Sequence, residues 1–189
     1  MENLKAQYKP ELYEKIRDNG YNYAKLIIPE LKKLFPISTV LDIGCGGGSF
    51  LHGCSDLGIS VFGVDGEHVK SSLQIKSNEF QVMNLEEKFD LEKKFDLAVS
   101  MEVGEHLDNK FSDNFVDSIC KHADSILFSA AQPKQPGVHH INCQPLTFWI
   151  EKFEKHGYML IEETTGWIRN NHEIYNWYRK NSMFFRRVI

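Results

Sequence analysis

Thr39-Val40-Leu41-Asp42-Ile43-Gly44-Cys45-Gly46-Gly47-Gly48-Ser49-Phe50 is the stretch on which the reading of this chain turns. It begins as a short apolar run, Val40 to Ile43, of the kind a fully buried strand shows. It then breaks into Gly44, Gly46, Gly47 and Gly48. Apolar residues resume at Phe50, Leu51, Cys54 and Leu57, spaced for a helix that Gly58 ends. Strand, glycine turn and helix together open a nucleotide-binding βαβ unit, in which glycines permit a tight turn and a close approach of ligand to main chain. A phosphate-cradling loop needs Gly-Lys-Ser/Thr, and no such tripeptide occurs. A dinucleotide fingerprint needs a third glycine or alanine, but that place falls on Ser49 or Leu51.

What does fit is Asp42-x-Gly44-x-Gly46-x-Gly48. This resembles the first motif of class I S-adenosylmethionine (AdoMet) dependent methyltransferases. The acidic residue on the strand strengthens the match, because AdoMet carries an ammonium that an anion can hold. Residues 59–64 read as a second strand with Asp65 at its end, where a carboxylate accepts both ribose hydroxyls of an adenosine. The alternative for Asp65 is a helix cap before Glu67. A third strand over 79–83 runs into Asn84 and Leu85. The resemblance places an acidic residue near the adenine amino group there; Asn84 departs from that, though its amide oxygen accepts the same bond. Leu85 offers a backbone N–H and an apolar face. The expected cofactor residues are therefore Asp42, Gly44, Gly46, Gly48, Asp65, Asn84, Leu85 and, at the end of a fourth strand, Met101.

The chain has 189 residues, enough for one domain with a proper core. Hydrophobic content of 42% and charged content of 25% place it among globular chains. A formal net charge of −4 argues against a nucleic acid as main partner, since such binders present a basic face. Cys45, Cys54, Cys120 and Cys143 form no C-x-x-C pair, which argues against a disulfide scaffold or zinc knuckle and makes a reducing cytoplasm the expected compartment. No apolar run approaches membrane length. A small-molecule acceptor and a monomer or homodimer are expected.

Residues 3–35 read as two amphipathic helices broken at Gly20, with Pro29 kinking or restarting the second and four tyrosines (Tyr8, Tyr13, Tyr21, Tyr23) among them. Residues 1–36 would form a helical cap within the same domain, and 37–189 the AdoMet-binding domain. Helices are expected over 67–77, 111–123, 145–156 and 171–180, and strands over 95–103, 126–130, 158–164 and 183–189. Strands alternating with helices imply an α/β, doubly wound, mostly parallel sheet with helices on both faces. The last two strands are joined too closely for a full parallel crossover, so the final strand is expected antiparallel. That is also the seven-stranded, Rossmann-like sheet the resemblance implies, with 40–43 central and 95–103 beside it.

Met101-Glu102-Val103-Gly104-Glu105-His106-Leu107 resembles the E-V-x-E-H-L segment of ubiquinone-type O-methyltransferases. A similar run in small-RNA 2′-O-methyltransferases holds a divalent metal through two glutamates, a histidine and one more distant histidine. On that resemblance Glu102, Glu105, His106 and His140 are candidate ligands. If the chain turns helical after Met101, the first three share one face at i, i+3, i+4. In the alternative, Glu102 touches cofactor while Glu105 and His106 cap or line the helix start. His140-Ile141-Asn142-Cys143-Gln144-Pro145 resembles an H-x-N-x-Q-P loop of small bacterial and phage-type methyltransferases, where His140 could serve as general base.

The expected activity is AdoMet-dependent methylation, of an oxygen on a small hydroxylated metabolite or sugar precursor, with His140, Glu102 and His106 at the reacting centre. Rival readings are a non-catalytic AdoMet-binding or regulatory protein, transfer to nitrogen or RNA, and a nicotinamide-dependent dehydrogenase.

Overall fold

The computed structural model describes residues 10–188, with side chains of the first helix described from Asp18 onward. Tyr8 and the side chain of Tyr13 thus lie outside the described residues. The elements run α1 (Pro10–Leu31), β1 (Thr39–Ile43), α2 (Ser49–Ser55), β2 (Ser60–Asp65), β3 (Phe80–Val82), β4 (Leu97–Met101), α3 (Ser112–His122), β5 (Ser125–Ser129), α4 (Leu146–Lys155), β6 (Tyr158–Leu160), α5 (Glu162–Asn170), α6 (Asn176–Asn181) and β7 (Met183–Arg187). Seven strands form one sheet in the order β3-β2-β1-β4-β5-β7-β6. The pairs β1–β2, β1–β4, β2–β3 and β4–β5 are parallel, and β7 runs antiparallel to both β5 and β6. The strand order reverses between β1 and β4, and in open α/β sheets ligands bind beyond the carboxyl ends of strands at such a point.

Both faces of the central strands are covered, which explains their near-continuous apolar runs. Leu41, Ala98, Ile126 and Phe128 pack under Phe115 and Ile119 of α3 and Trp149 and Phe153 of α4. Val40, Val99 and Leu127 pack under Tyr23, Ile27 and Leu31 of α1 and Phe50 and Leu51 of α2. By strand alternation Asp42 shares the second face.

Four local expectations differ from the structure. The helix expected over 171–180 begins only at Asn176. Gly20 does not break the first helix, which runs unbroken to Leu31 with Pro29 inside its last turns. Its lack of a side chain serves contact instead: a Cβ on Gly20 would stand 3.2 Å from Ser49 Oγ. A Cβ on Gly53 would stand 2.8 Å from Ala24 Cβ and from the Tyr21 carbonyl oxygen, so α1 and α2 approach glycine to backbone.

Residues 67–77 form only a 3₁₀ turn, Glu67–Ser72, in which Val69 is the sole buried residue. One apolar residue gives no stripe to hold a longer helix. The chain beyond it crosses the glycine loop, where Gln74 donates its backbone N–H to the Gly47 carbonyl at 2.8 Å. The strand expected over 158–164 ends at Leu160, and α5 begins at Glu162. Glu162 and Glu163 sit in its first turn, where acidic side chains favour a helix start. Thr165 is buried and its hydroxyl accepts a hydrogen bond from the Phe184 N–H at 3.1 Å.

Candidate active site

The four glycines of the β1–α2 loop divide by what surrounds them. Gly44, Gly46 and Gly48 all have positive φ, at 84°, 52° and 78°. A Cβ on Gly44 would strike Val103 at 2.4 Å, one on Gly47 would meet the Ser72 carbonyl oxygen at 2.8 Å, and one on Gly48 would press on Ile75 at 3.2 Å. A Cβ on Gly46 would meet nothing within 4 Å. Gly46 therefore leaves open space beside a left-handed backbone, while the others are demanded by the protein's own packing.

Asp65 ends β2 and ties the loop together. Its Oδ2 accepts the Gly46 N–H at 2.7 Å and its Oδ1 the Gly66 N–H at 2.6 Å. Burial raises its pKa, opposed by those two amide bonds and by His68. Each carboxylate oxygen retains a second lone pair for a ligand hydroxyl.

Asp42, on β1, is 3% exposed, and its Oδ1 has no hydrogen-bond partner. Burial, and then the nearby Asp65 charge, push its pKa up to about 8. Asn84 is exposed and turned to its own loop, its Oδ1 accepting the Glu86 N–H and its Nδ2 donating to Glu87. Leu85 is buried in the core beside Phe89. Met101 ends β4, partly buried against the α1–α2 side of the core.

The segment after β4 does not turn into an α-helix. Glu102 takes φ 55°, and only Gly104–His106 forms a single 3₁₀ turn. Glu102, Glu105 and His106 accordingly do not share a helical face. The Glu102 carboxylate swings toward the end of α6, where Asn181 Nδ2 donates to both its oxygens at 3.0 and 3.2 Å and Gln135 Nε2 donates to Oε2 at 2.9 Å. Asn181, 1% exposed, also donates to Gln135 Oε1 at 2.8 Å and accepts from Gln132 Nε2 at 3.1 Å.

Glu105, His106 and His140 do converge: one donor atom from each lies within 4.8 Å of the others. This three-residue set excludes Glu102. Glu105 is fully buried, with neither carboxylate oxygen hydrogen-bonded. The amides of Glu105 and Ala131 lie near enough to favour its charged form without reaching hydrogen-bond geometry, and burial followed by the Glu102 charge still raises its pKa to about 8.

His106 Nδ1 faces the His139 carbonyl oxygen at 3.1 Å, and His140 Nδ1 faces that of Gln135 at 3.3 Å. A carbonyl oxygen only accepts, so each Nδ1 carries a proton and donates it; the His140 Nε2 lies against the Gly137 backbone, where a Cβ would collide with it. Burial lowers the His106 pKa to about 4, so that ring is neutral at physiological pH. The two rings meet edge to face with centroids 5.1 Å apart.

Asn142 holds this arrangement. The backbone N–H groups of Ile141 and Asn142 both donate to the Glu105 carbonyl, at 2.9 and 3.0 Å. The Asn142 amide donates to the Gly104 carbonyl at 3.2 Å and to Ser112 Oγ at 3.1 Å. The H-x-N spacing signalled His140, but not that the asparagine is the anchor. Asn181 and its bonds to Glu102 escaped sequence reading.

Residues 13–182 match a family model described as a methyltransferase domain. No curated protein sequence matches the chain. Magnesium protoporphyrin IX methyltransferase (ChlM) from Synechocystis PCC 6803, crystallised with bound SAH, is 17% identical over 96% of this chain and 89% of its own, with a TM-score of 0.67. The sugar N-methyltransferase KedS8 from Streptoalloteichus is 10% identical over 96% and 94%, with a TM-score of 0.71. The methyltransferase domain of bacterial CtHen1-C is 16% identical over 90% and 100%, with a TM-score of 0.64. At these identities the likeness is one of fold.

Proposed function

The chain belongs to the methyltransferase-domain family and is an AdoMet-dependent methyltransferase; from that premise we propose that it methylates an oxygen of a small hydroxylated acceptor. Asp42 holds the donor's ammonium, Asp65 its ribose hydroxyls, and Gly46 gives the donor its closest approach to main chain. The sulfonium is already activated, so the protein's task is to orient the acceptor and remove its proton.

The observation that carries the oxygen reading is the Glu105–His106–His140 set, which fits a divalent cation. A buried carboxylate with two unpartnered oxygens converges with two imidazoles, one donor atom of each residue lying within 4.8 Å of the others. The carbonyl partners of both Nδ1 atoms fix tautomer and ring orientation, as such partners do in metal-binding histidines. A mixed oxygen and nitrogen set suits Mn²⁺, Fe²⁺ or Zn²⁺. When bound, the ion supplies Lewis acidity that lowers the acceptor hydroxyl's pKa. Glu102, held apart by Asn181 and Gln135, orients the acceptor instead of completing the donor set. In the version without an ion, His140 is instead the base that takes the hydroxyl proton.

The test is S-adenosylhomocysteine release across an acceptor panel, with and without chelator. Loss of turnover on chelation and recovery with Mn²⁺ supports the full proposal. Chelator-insensitive turnover that collapses in His140→Ala leaves the base without the ion. Normal turnover in His140→Ala, or a product methylated on nitrogen, overturns the oxygen chemistry while leaving the family membership untouched.

A further inference from the structure

A cavity of about 330 Å³ opens between α1 and residues 172–179, away from the three-residue donor set. Asn19, Asn22 and Tyr23 line it from α1, and Glu173, Asn176 and Arg179 from the opposite wall. Its size lies at the lower end of the roughly 300–1,000 Å³ typical of small-ligand pockets. Gly20 rests on Ser49 at the start of α2, so this end of α1 lies beside the glycine loop.

A pair of tyrosines joins the cavity to the methyl-donor side. Tyr23 lines the cavity and stacks on Tyr178 at 5.1 Å, 23° from parallel. The Tyr23 hydroxyl donates to Ser182 Oγ at 3.0 Å, and the preceding residue, Asn181, holds the Glu102 carboxylate.

The chemistry of the walls is specific. Three side-chain amides each offer a donor and an acceptor, the combination a hydroxyl also has. The Asn19 Nδ2 is buried with no hydrogen-bond partner. Arg179, the cation on the far wall, already donates to Asn176 Oδ1 and, at 3.4 Å, to the Arg169 carbonyl. Glu173 opposes its charge, so an anionic ligand gains little here.

We propose that this cavity recognises a neutral, polyhydroxylated ring, a sugar-like portion of the acceptor, through the amides of Asn19, Asn22 and Asn176. The Tyr23–Tyr178 pair separates it from the carboxylates, so the cavity sets specificity and does not contain the reacting atom. This rests on the small hydroxylated acceptor proposed above.

The experiment is saturation-transfer NMR on the full chain with methyl glucoside and N-acetylglucosamine as probes, with a calorimetric titration of inorganic phosphate as the anionic comparison. Asn22 is an exposed helical position, where substitution leaves folding largely undisturbed. Asn22→Leu removes one amide and weakens sugar binding about fivefold, the size of one neutral hydrogen bond. Asn22→Trp fills the cavity and abolishes the signal. Calorimetry with AdoMet on the same samples reports the donor site separately. Sugar binding lost in Asn22→Trp with AdoMet binding intact supports the proposal. No sugar signal in wild type, a signal unchanged in Asn22→Trp, or phosphate bound in place of sugar overturns it. If AdoMet itself does not bind, the methyl-transfer reading falls whatever the sugars do.

Discussion

Asp42 is a carboxylic acid held where its neutral form is favoured, its pKa raised from 3.8 to about 8 by burial and by Asp65. A raised carboxyl pKa means the folded state holds a proton that the unfolded state has already released between those two values. Stability from this residue therefore falls as pH rises from about 4 to about 8. Asp42→Asn removes the penalty. Thermal scans should show little difference between variant and wild type at pH 3.5 and a higher Tm for the variant at pH 8.5. Calorimetry should show AdoMet binding weakened in the same variant, because the group that costs stability is the one assigned to the ammonium. A variant neither more stable at pH 8.5 nor weaker toward AdoMet would show that Asp42 is only a buried acid. Asp65 differs, since both its oxygens already serve backbone amides. Asp65→Ala should weaken AdoMet by about 1–3 kcal/mol through lost ribose bonds and also lower Tm through the freed Gly46 amide.

Turn and loop form the working elements of the site, and Asn142 is the joint between them. It is 2% exposed and binds the Gly104 carbonyl and Ser112, while the Glu105 carbonyl takes two N–H groups from its loop. Asn142→Ala leaves buried groups unpaired and should cost about 1–3 kcal/mol, read as a lowered midpoint in urea. Gly104→Ala should destabilise by a similar amount, about 1–3 kcal/mol by overpacking, because its Cβ would meet the Trp149 ring at 2.7 Å. The β1–loop–α2 unit was readable because its signals are local: a buried strand, left-handed glycines and an acidic strand end lie within a few residues. The turn after β4 was not. A helical spacing argument assumed right-handed backbone at Glu102, whose φ is 55°. Its carboxylate is claimed by Asn181, which lies far along the chain, and nothing near either residue announces that pairing. The strand expected over 158–164 stops short because acidic residues at 162 and 163 start a helix.

At the scale of the molecule, the reversal of strand order between β1 and β4 collects the candidate residues on one edge of the sheet. The glycine loop follows β1, Asp65 ends β2, the Glu102–His106 segment follows β4, and His140 comes from the connection after β5. No helix among the described residues is long and apolar enough to cross a membrane. An edge assembled from four separate strands gives a ligand contacts that exist only in the folded state, so binding stabilises the whole domain. At a hundred times its Kd, AdoMet adds about 2.7 kcal/mol. A domain of 150–250 residues gains about 2–4 °C per kcal/mol, so Tm should rise by about 5–10 °C. NAD at the same concentration should leave Tm unchanged, because the glycine loop lacks the third glycine that a dinucleotide's pyrophosphate requires close to the helix. The Asp65→Ala protein should show the AdoMet shift only at higher concentration. An equal shift from NAD, or none from AdoMet, would mean that the open space beside Gly46 serves some other ligand.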